Sequence, residues 1–212
     1  MPSAREALLD AAYAALLNRA WVEVRMVEVA TAAGVSRQTL YNAFGSKEGL
    51  ARALVSRETE SYLTGVERAL AVGGPDGLDG PAGDAAARVA AAAAWTLRAA
   101  RTNPLVKAAL TGCWGERLPA GQTGPAELVG HFRDRAVAAL APGRPREELP
   151  ALGTACETAA RLTLSCVIVP AGPAPDAAPA GASAQVPRQR APEAETEAVG
   201  RLVRKAFAGL TA

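Results

Sequence analysis

Residues 36–47 set out hydrogen-bonding side chains at spacings that suit contact with a nucleic-acid duplex. Arg37 and Gln38 are adjacent. Arginine donates twice to guanine, and glutamine pairs with adenine through one donor and one acceptor. These two are the expected readers of base edges. Ser36, Thr39, Tyr41 and Asn42 carry short or rigid donors that fit phosphate oxygens, with Thr39 and Asn42 also within range of a base. Lys47 follows in the first turn of the next expected helix, placed to clamp the flanking backbone. Arg37, Lys47, Arg52 and Arg57 face only Glu48 and Glu58 in this stretch, although the formal charge of the chain is only +2. Duplex binding requires a local basic surface, not a basic average.

Such groups need a frame, and two short helices across a sharp turn supply one. Gly34 tolerates a left-handed backbone angle, Val35 plugs the angle between helices, and Ser36 caps the free amides of the second. Residues 26–33 and 37–42 then have the dimensions of a helix-turn-helix. The amino end of the second helix directs partial positive charge towards phosphates. Ahead of this unit, Leu8, Leu9, Ala12, Tyr13, Leu16 and Leu17 recur three and four apart, behind a capping pair of Ser3 and Glu6. Leu40 and Phe44 are assigned to the core. Ser46 caps a long fourth helix that continues past Tyr62, Leu63, Val66 and Leu70.

Further along, helices are expected over 84–100, 103–110, 126–141, 151–169 and 193–208, with loops at 73–83 and 142–150 and an irregular stretch at 112–125. Residues 170–192 are rich in Pro, Ala and Gly without apolar periodicity, and are expected to form a flexible loop. Abundant alanine with only 4% aromatic residues suits packed helices, not sheets. Trp95, Arg98, Cys113, Trp114, Leu118 and Phe132 are candidates for an effector pocket, which pairs apolar walls with a few polar anchors. Plain core packing explains the apolar ones equally. Arg98 and Arg101 recur on one helix as an external face or an anion site.

Three cysteines and a single histidine, His131, show no metal-ligand spacing, so no metal and no cofactor are expected. The same scarcity gives little support to an enzyme. No run of 18 apolar residues occurs and the first 20 residues are amphipathic, which reads as a cytoplasmic protein without a membrane partner.

Val29-Ala30, Ala33-Gly34-Val35-Ser36, Thr39-Leu40-Tyr41, Phe44 and Ser46-Lys47-Glu48 with Leu50, preceded by Trp21, resemble the DNA-binding domain of the TetR family of bacterial transcriptional repressors. The resemblance covers about residues 5–55. It implies an all-α protein of about nine helices: a three-helix DNA-binding domain over 1–50 and an effector-binding and dimerisation domain over 51–212. It implies double-stranded operator DNA and a small, partly apolar effector as partners, with a homodimer built through the helices near 151–169 and 193–208. Leu152, Ala155, Ala159, Leu162 and Cys166, with Leu202 and Phe207, are the expected packing face. Thr39, Tyr41 and Lys47 are expected at phosphates, with Arg37 and Gln38 setting specificity. Two positions depart from the pattern. Arg25 stands where Ser or Thr usually caps the second helix, so that cap is lost or moved and the arginine becomes a further phosphate candidate. Ala43 replaces a bulky His or Tyr. An effector-free adaptor or an activator is the alternative reading.

Overall fold

A computed structural model describes residues 3–71, 85–119, 121, 123–169 and 191–211, with side chains in the last helix described from Thr196 to Phe207. The expected loop at 73–83 and residues 170–190 of the expected flexible loop lie outside these residues.

The described residues form nine α-helices and two 3-10 turns, with no strand among them. In order these are α1 (Ala4–Asn18), a 3-10 turn (Trp21–Glu23), α2 (Met26–Ala32), α3 (Arg37–Phe44), α4 (Lys47–Ala71), α5 (Ala85–Thr102) and α6 (Pro104–Thr111). Then come α7 (Pro125–Leu140), a second 3-10 turn (Arg146–Glu148), α8 (Leu149–Ile168) and α9 (Ala191–Thr211). The all-α expectation holds. Helix boundaries differ from the sequence reading by one to three residues, and two of the differences have a plain cause. α3 runs on to Phe44, because Gly45, at φ +73°, is the first residue free to leave the helix. α9 already begins at Ala191, since Pro192 sits in the first turn, where a missing N–H costs nothing.

The chain divides into two compact units. The first joins Met1–Ser61 to Pro104–Gly124. Its core gathers Leu8, Leu9, Ala12 and Leu16 of α1, Trp21 and Val24, Val29 and Ala30 of α2, Leu40 of α3, and Leu50, Leu54 and Val55 of α4. Leu105 of α6 is buried in the same cluster, and Trp114 and Leu118 pack against it. The fully covered leucines contribute roughly 2 kcal/mol each. The backbone N–H of Trp21 donates to the Arg117 carbonyl at 2.8 Å, tying the 3-10 turn to this returning segment.

The second unit comprises Tyr62–Asn103 and Pro125–Ala212. Here α9 packs on α5 and α8, and α7 on α8. The core is built from Val66, Leu70, Val89, Leu97, Leu128, Phe132, Leu152, Cys156, Val199, Val203 and Phe207. At Gly65 the α4 backbone meets the Trp95 ring so closely that a methyl group would overlap it. The Trp95 indole N–H donates to the Tyr62 carbonyl at 3.0 Å, and the Tyr62 hydroxyl meets Thr96 Oγ1 at 3.2 Å. Burial pushes the Tyr62 phenol up to about 12.

Candidate nucleic-acid interface

Gly34, at φ +68°, turns the chain between α2 and α3, and the Val35 N–H closes that turn on the Ala30 carbonyl at 3.0 Å. Val35 itself packs against the core. Ser36 then caps α3: its hydroxyl accepts from the Thr39 N–H at 3.0 Å and meets Thr39 Oγ1 at 2.8 Å. Leu40 is wholly buried, which fixes the opposite face of α3 outwards. Ser36, Arg37, Gln38 and Asn42 are exposed, and Thr39 and Tyr41 are half-buried.

The outward side chains are organised among themselves. Gln38 Nε2 donates to Asn42 Oδ1 at 2.8 Å across one helical turn. The Arg37 guanidinium lies 5.2 Å from the centroid of the Tyr41 ring. Half-buried Lys47 leans back onto the 3-10 turn, where Nζ donates to the Val22 carbonyl at 2.9 Å and stands 5.6 Å from the Trp21 ring centroid. Arg25 is exposed at the N-cap of α2 and makes no side-chain cap bond there. Ser46 caps α4 through the Gly49 N–H at 3.1 Å. The Glu48 carboxyl is held below its ordinary range, first by a hydrogen bond to its own backbone and then by Ser46.

Two cationic groups outside the motif brace this surface. Arg57 of α4 binds Asp10 of α1 at 2.6 Å and Glu58 at 2.8 Å, tying α4 to α1. Arg5 of α1 donates to the Ala43 carbonyl at 3.3 Å and lies 4.6 Å from the Phe44 ring centroid. Sequence reasoning missed the role of Arg5, since its partner stands 38 positions along the chain and no local pattern marks the pair.

The six effector candidates fall into both units. Trp95, Arg98 and Phe132 belong to the second, and Cys113, Trp114 and Leu118 to the first. Phe132 is closed into the core, and Trp95 is half-buried against Gly65. Trp114 and Leu118 pack on the first unit's core, with the Trp114 ring against Gly121, while Cys113 is exposed. Arg98 lines an open groove of about 590 Å³ between α5 and α9, together with Ala87, Ala90, Ala91, Ala94, Arg101, Thr196, Glu197, Gly200 and Arg204. Of the expected dimer-packing residues, Leu152, Ala155, Ala159 and Phe207 are already buried within one chain, because α8 and α9 pack on other helices of the second unit. Leu162 and Leu202 are exposed, at 37% and 51%. Cys166 is half-buried.

No group of three or more potential metal ligands occurs among the described residues, and no described helix is long and apolar enough to cross a membrane.

Comparison with known proteins bears directly on this geometry. Residues 8–54 match the family model for bacterial regulatory proteins of the tetR family, and residues 84–187 match that for the bacterial tetracyclin repressor C-terminal domain. Together the two cover more than two thirds of the chain. The HTH-type transcriptional regulator AlkX of Mycobacterium tuberculosis is 42% identical over 66 residues, a match spanning 31% of each chain. Among solved structures, the TetR family repressor AlkX from Dietzia sp., implicated in biodegradation of n-alkanes, superposes with a TM-score of 0.51 at 24% identity over 97% of both chains. A tetR family transcription regulator from Shewanella sp. gives 0.53 at 18% identity, over 97% of this chain and 98% of that one. The two structural likenesses establish the fold, and the family models establish the lineage. With its capped helix-turn-helix and its second helical unit, the chain belongs to the TetR family of bacterial DNA-binding transcriptional regulators, which are not enzymes.

Proposed function

We propose that the chain is a homodimeric repressor that binds operator DNA through residues 1–50 and leaves it when residues 51–212 take up a small, partly apolar effector. One observation carries the reading: Arg37, Gln38 and Asn42 stand exposed on a short helix whose opposite face is anchored by buried Leu40. A helix so held offers its polar row to a major groove. In this reading Arg37 and Gln38 meet base edges. Ser36, Thr39, Tyr41, Asn42, Lys47 and Arg25 meet phosphates.

Pairing is assigned to the outer faces of α8 and α9, where Leu162 and Leu202 stay exposed. A two-fold pair presents two reading helices about one duplex turn apart. The groove between α5 and α9 supports a ligand with an apolar body and an anionic end, because its alanine wall is bordered by Arg98, Arg101 and Arg204. The other pocket candidates, Trp95, Cys113, Trp114, Leu118 and Phe132, serve packing in this reading or, for Cys113, stay at the surface. That a relative is implicated in n-alkane biodegradation is in keeping with an apolar component in the effector. The site of action is the cytoplasm, where operator DNA lies.

Selection of bound duplexes from a random pool, followed by anisotropy titration, tests the DNA reading. Enrichment of a palindromic sequence bound in the nanomolar range is expected. Equal, salt-sensitive binding to every duplex would end it. Transcription from a promoter carrying the selected site then gives the sign of control, and release by candidate anions tests the sensing role.

A further inference from the structure

We infer that Arg5 is a positioning residue for the helix proposed to read bases, holding the carboxyl end of α3 from outside. The inference rests on that reading for its effect on DNA, but the clamp itself is a property of the fold. α3 is eight residues long and has no basic residue in its last turn. A helix of this length does not persist on propensity alone, and its last carbonyls have no partner within the helix.

Arg5 meets both needs. Its Nη1–H donates to the Ala43 carbonyl at 3.3 Å, one of those final acceptors, and its guanidinium lies over Phe44, the last residue of α3, at 4.6 Å. A cation at this end opposes the partial negative charge of the helix, and the flat guanidinium gains from the ring face. Phe44 also packs on the first unit's core, so Arg5 grips a side chain already anchored from below. Glu6, the neighbour of Arg5, turns towards Arg57 at 3.9 Å instead. Arg5 lies ahead of the stretch matched by the tetR family model, which begins at residue 8.

The angle at which α3 leaves its turn sets which bases Arg37 and Gln38 can meet. Its amino end is fixed by Ser36, its middle by Leu40, and its carboxyl end by Arg5. Loosening the last point degrades recognition without removing any group that touches DNA.

The test compares full-length wild type, Arg5→Ala and Arg5→Lys on a duplex obtained by selection and on an unrelated duplex, across a salt series. Arg5→Ala is expected to weaken binding to the selected duplex about five-fold at every salt concentration. The salt slope and the affinity for the unrelated duplex stay unchanged. Amide exchange at residues 41–45 quickens, and Arg5→Lys recovers most of both losses. A slope lower by about one, with equal weakening on both duplexes, would make Arg5 a phosphate ligand and overturn the positioning role. Unchanged affinity with unchanged exchange would overturn it too. If wild type selects no duplex, the base-reading proposal fails, and exchange at 41–45 still judges the clamp.

Discussion

Gln38 and Lys47 both carry donors near the proposed groove face, yet the chain holds them differently. Gln38 is exposed and bonded along its own helix to Asn42, so its amide can exchange that partner for a base edge. Gln38→Ala is expected to relax discrimination at one base position while leaving backbone affinity intact. Titration against single-base variants checks this, and equal losses on all sequences would count against base reading. Lys47 is tied to Val22 and Trp21, so it approaches the duplex from a fixed base. Lys47→Ala should weaken binding uniformly and lower the salt slope by about one. The same change releases the Val22 carbonyl to solvent and costs about 1 kcal/mol of stability. The cysteines offer a separate check on burial. Cys113 is exposed, whereas burial pushes the Cys156 thiol up to about 12. Iodoacetamide at pH 8 should label Cys113 and spare Cys156 until the protein unfolds. Early labelling of Cys156 would show that α8 packs more loosely than described.

Between helices of the second unit, Gly65 on α4 lies tight against the Trp95 ring on α5. Gly65→Ala should destabilise by about 2 kcal/mol, because the ring cannot recede without losing its bond to the Tyr62 carbonyl. Adding Trp95→Leu should return part of that loss, and thermal melts of the single and double variants decide the coupling. Tyr62 adds a pH dependence. Its neutral form is favoured by burial, so its contribution is complete below the ordinary value of 10.0 and fades as the pH climbs towards 12. Tyr62→Phe should flatten that alkaline decline and cost about 1 kcal/mol at neutral pH.

These contacts also mark where sequence stops being informative. The leucines of α1, Gly34 and Ser36 announce themselves by local spacing and backbone chemistry, so the helix-turn-helix is legible. α5 is different. Alanine is apolar enough for a core and small enough for a surface, so periodicity assigns no face to Ala87, Ala90, Ala91 or Ala94, which line an open groove. Trp95 reads as a pocket wall because the glycine that receives its ring lies on another helix. The pairing of Arg5 with Phe44 is hidden in the same way. Contacts set by tertiary approach leave no trace in a local window.

The whole molecule combines two compact units, and its proposed activity needs two copies. If α8 and α9 pair through their outer faces, Leu162→Glu with Leu202→Glu should yield monomers in sedimentation. The melting temperature should fall little, because both positions are exposed in the single chain. Persistent dimers in that variant would move the interface elsewhere. The first unit has a further consequence, for anyone who wishes to give this regulator a new address on DNA. Its core is completed by Leu105, Trp114 and Leu118, and its 3-10 turn is fastened to Arg117, all from the middle of the chain. A chimera joined at residue 50 would set a foreign headpiece on struts shaped for another. Grafts that carry residues 104–124 along with the amino-terminal helices keep the supports and the load they were fitted to.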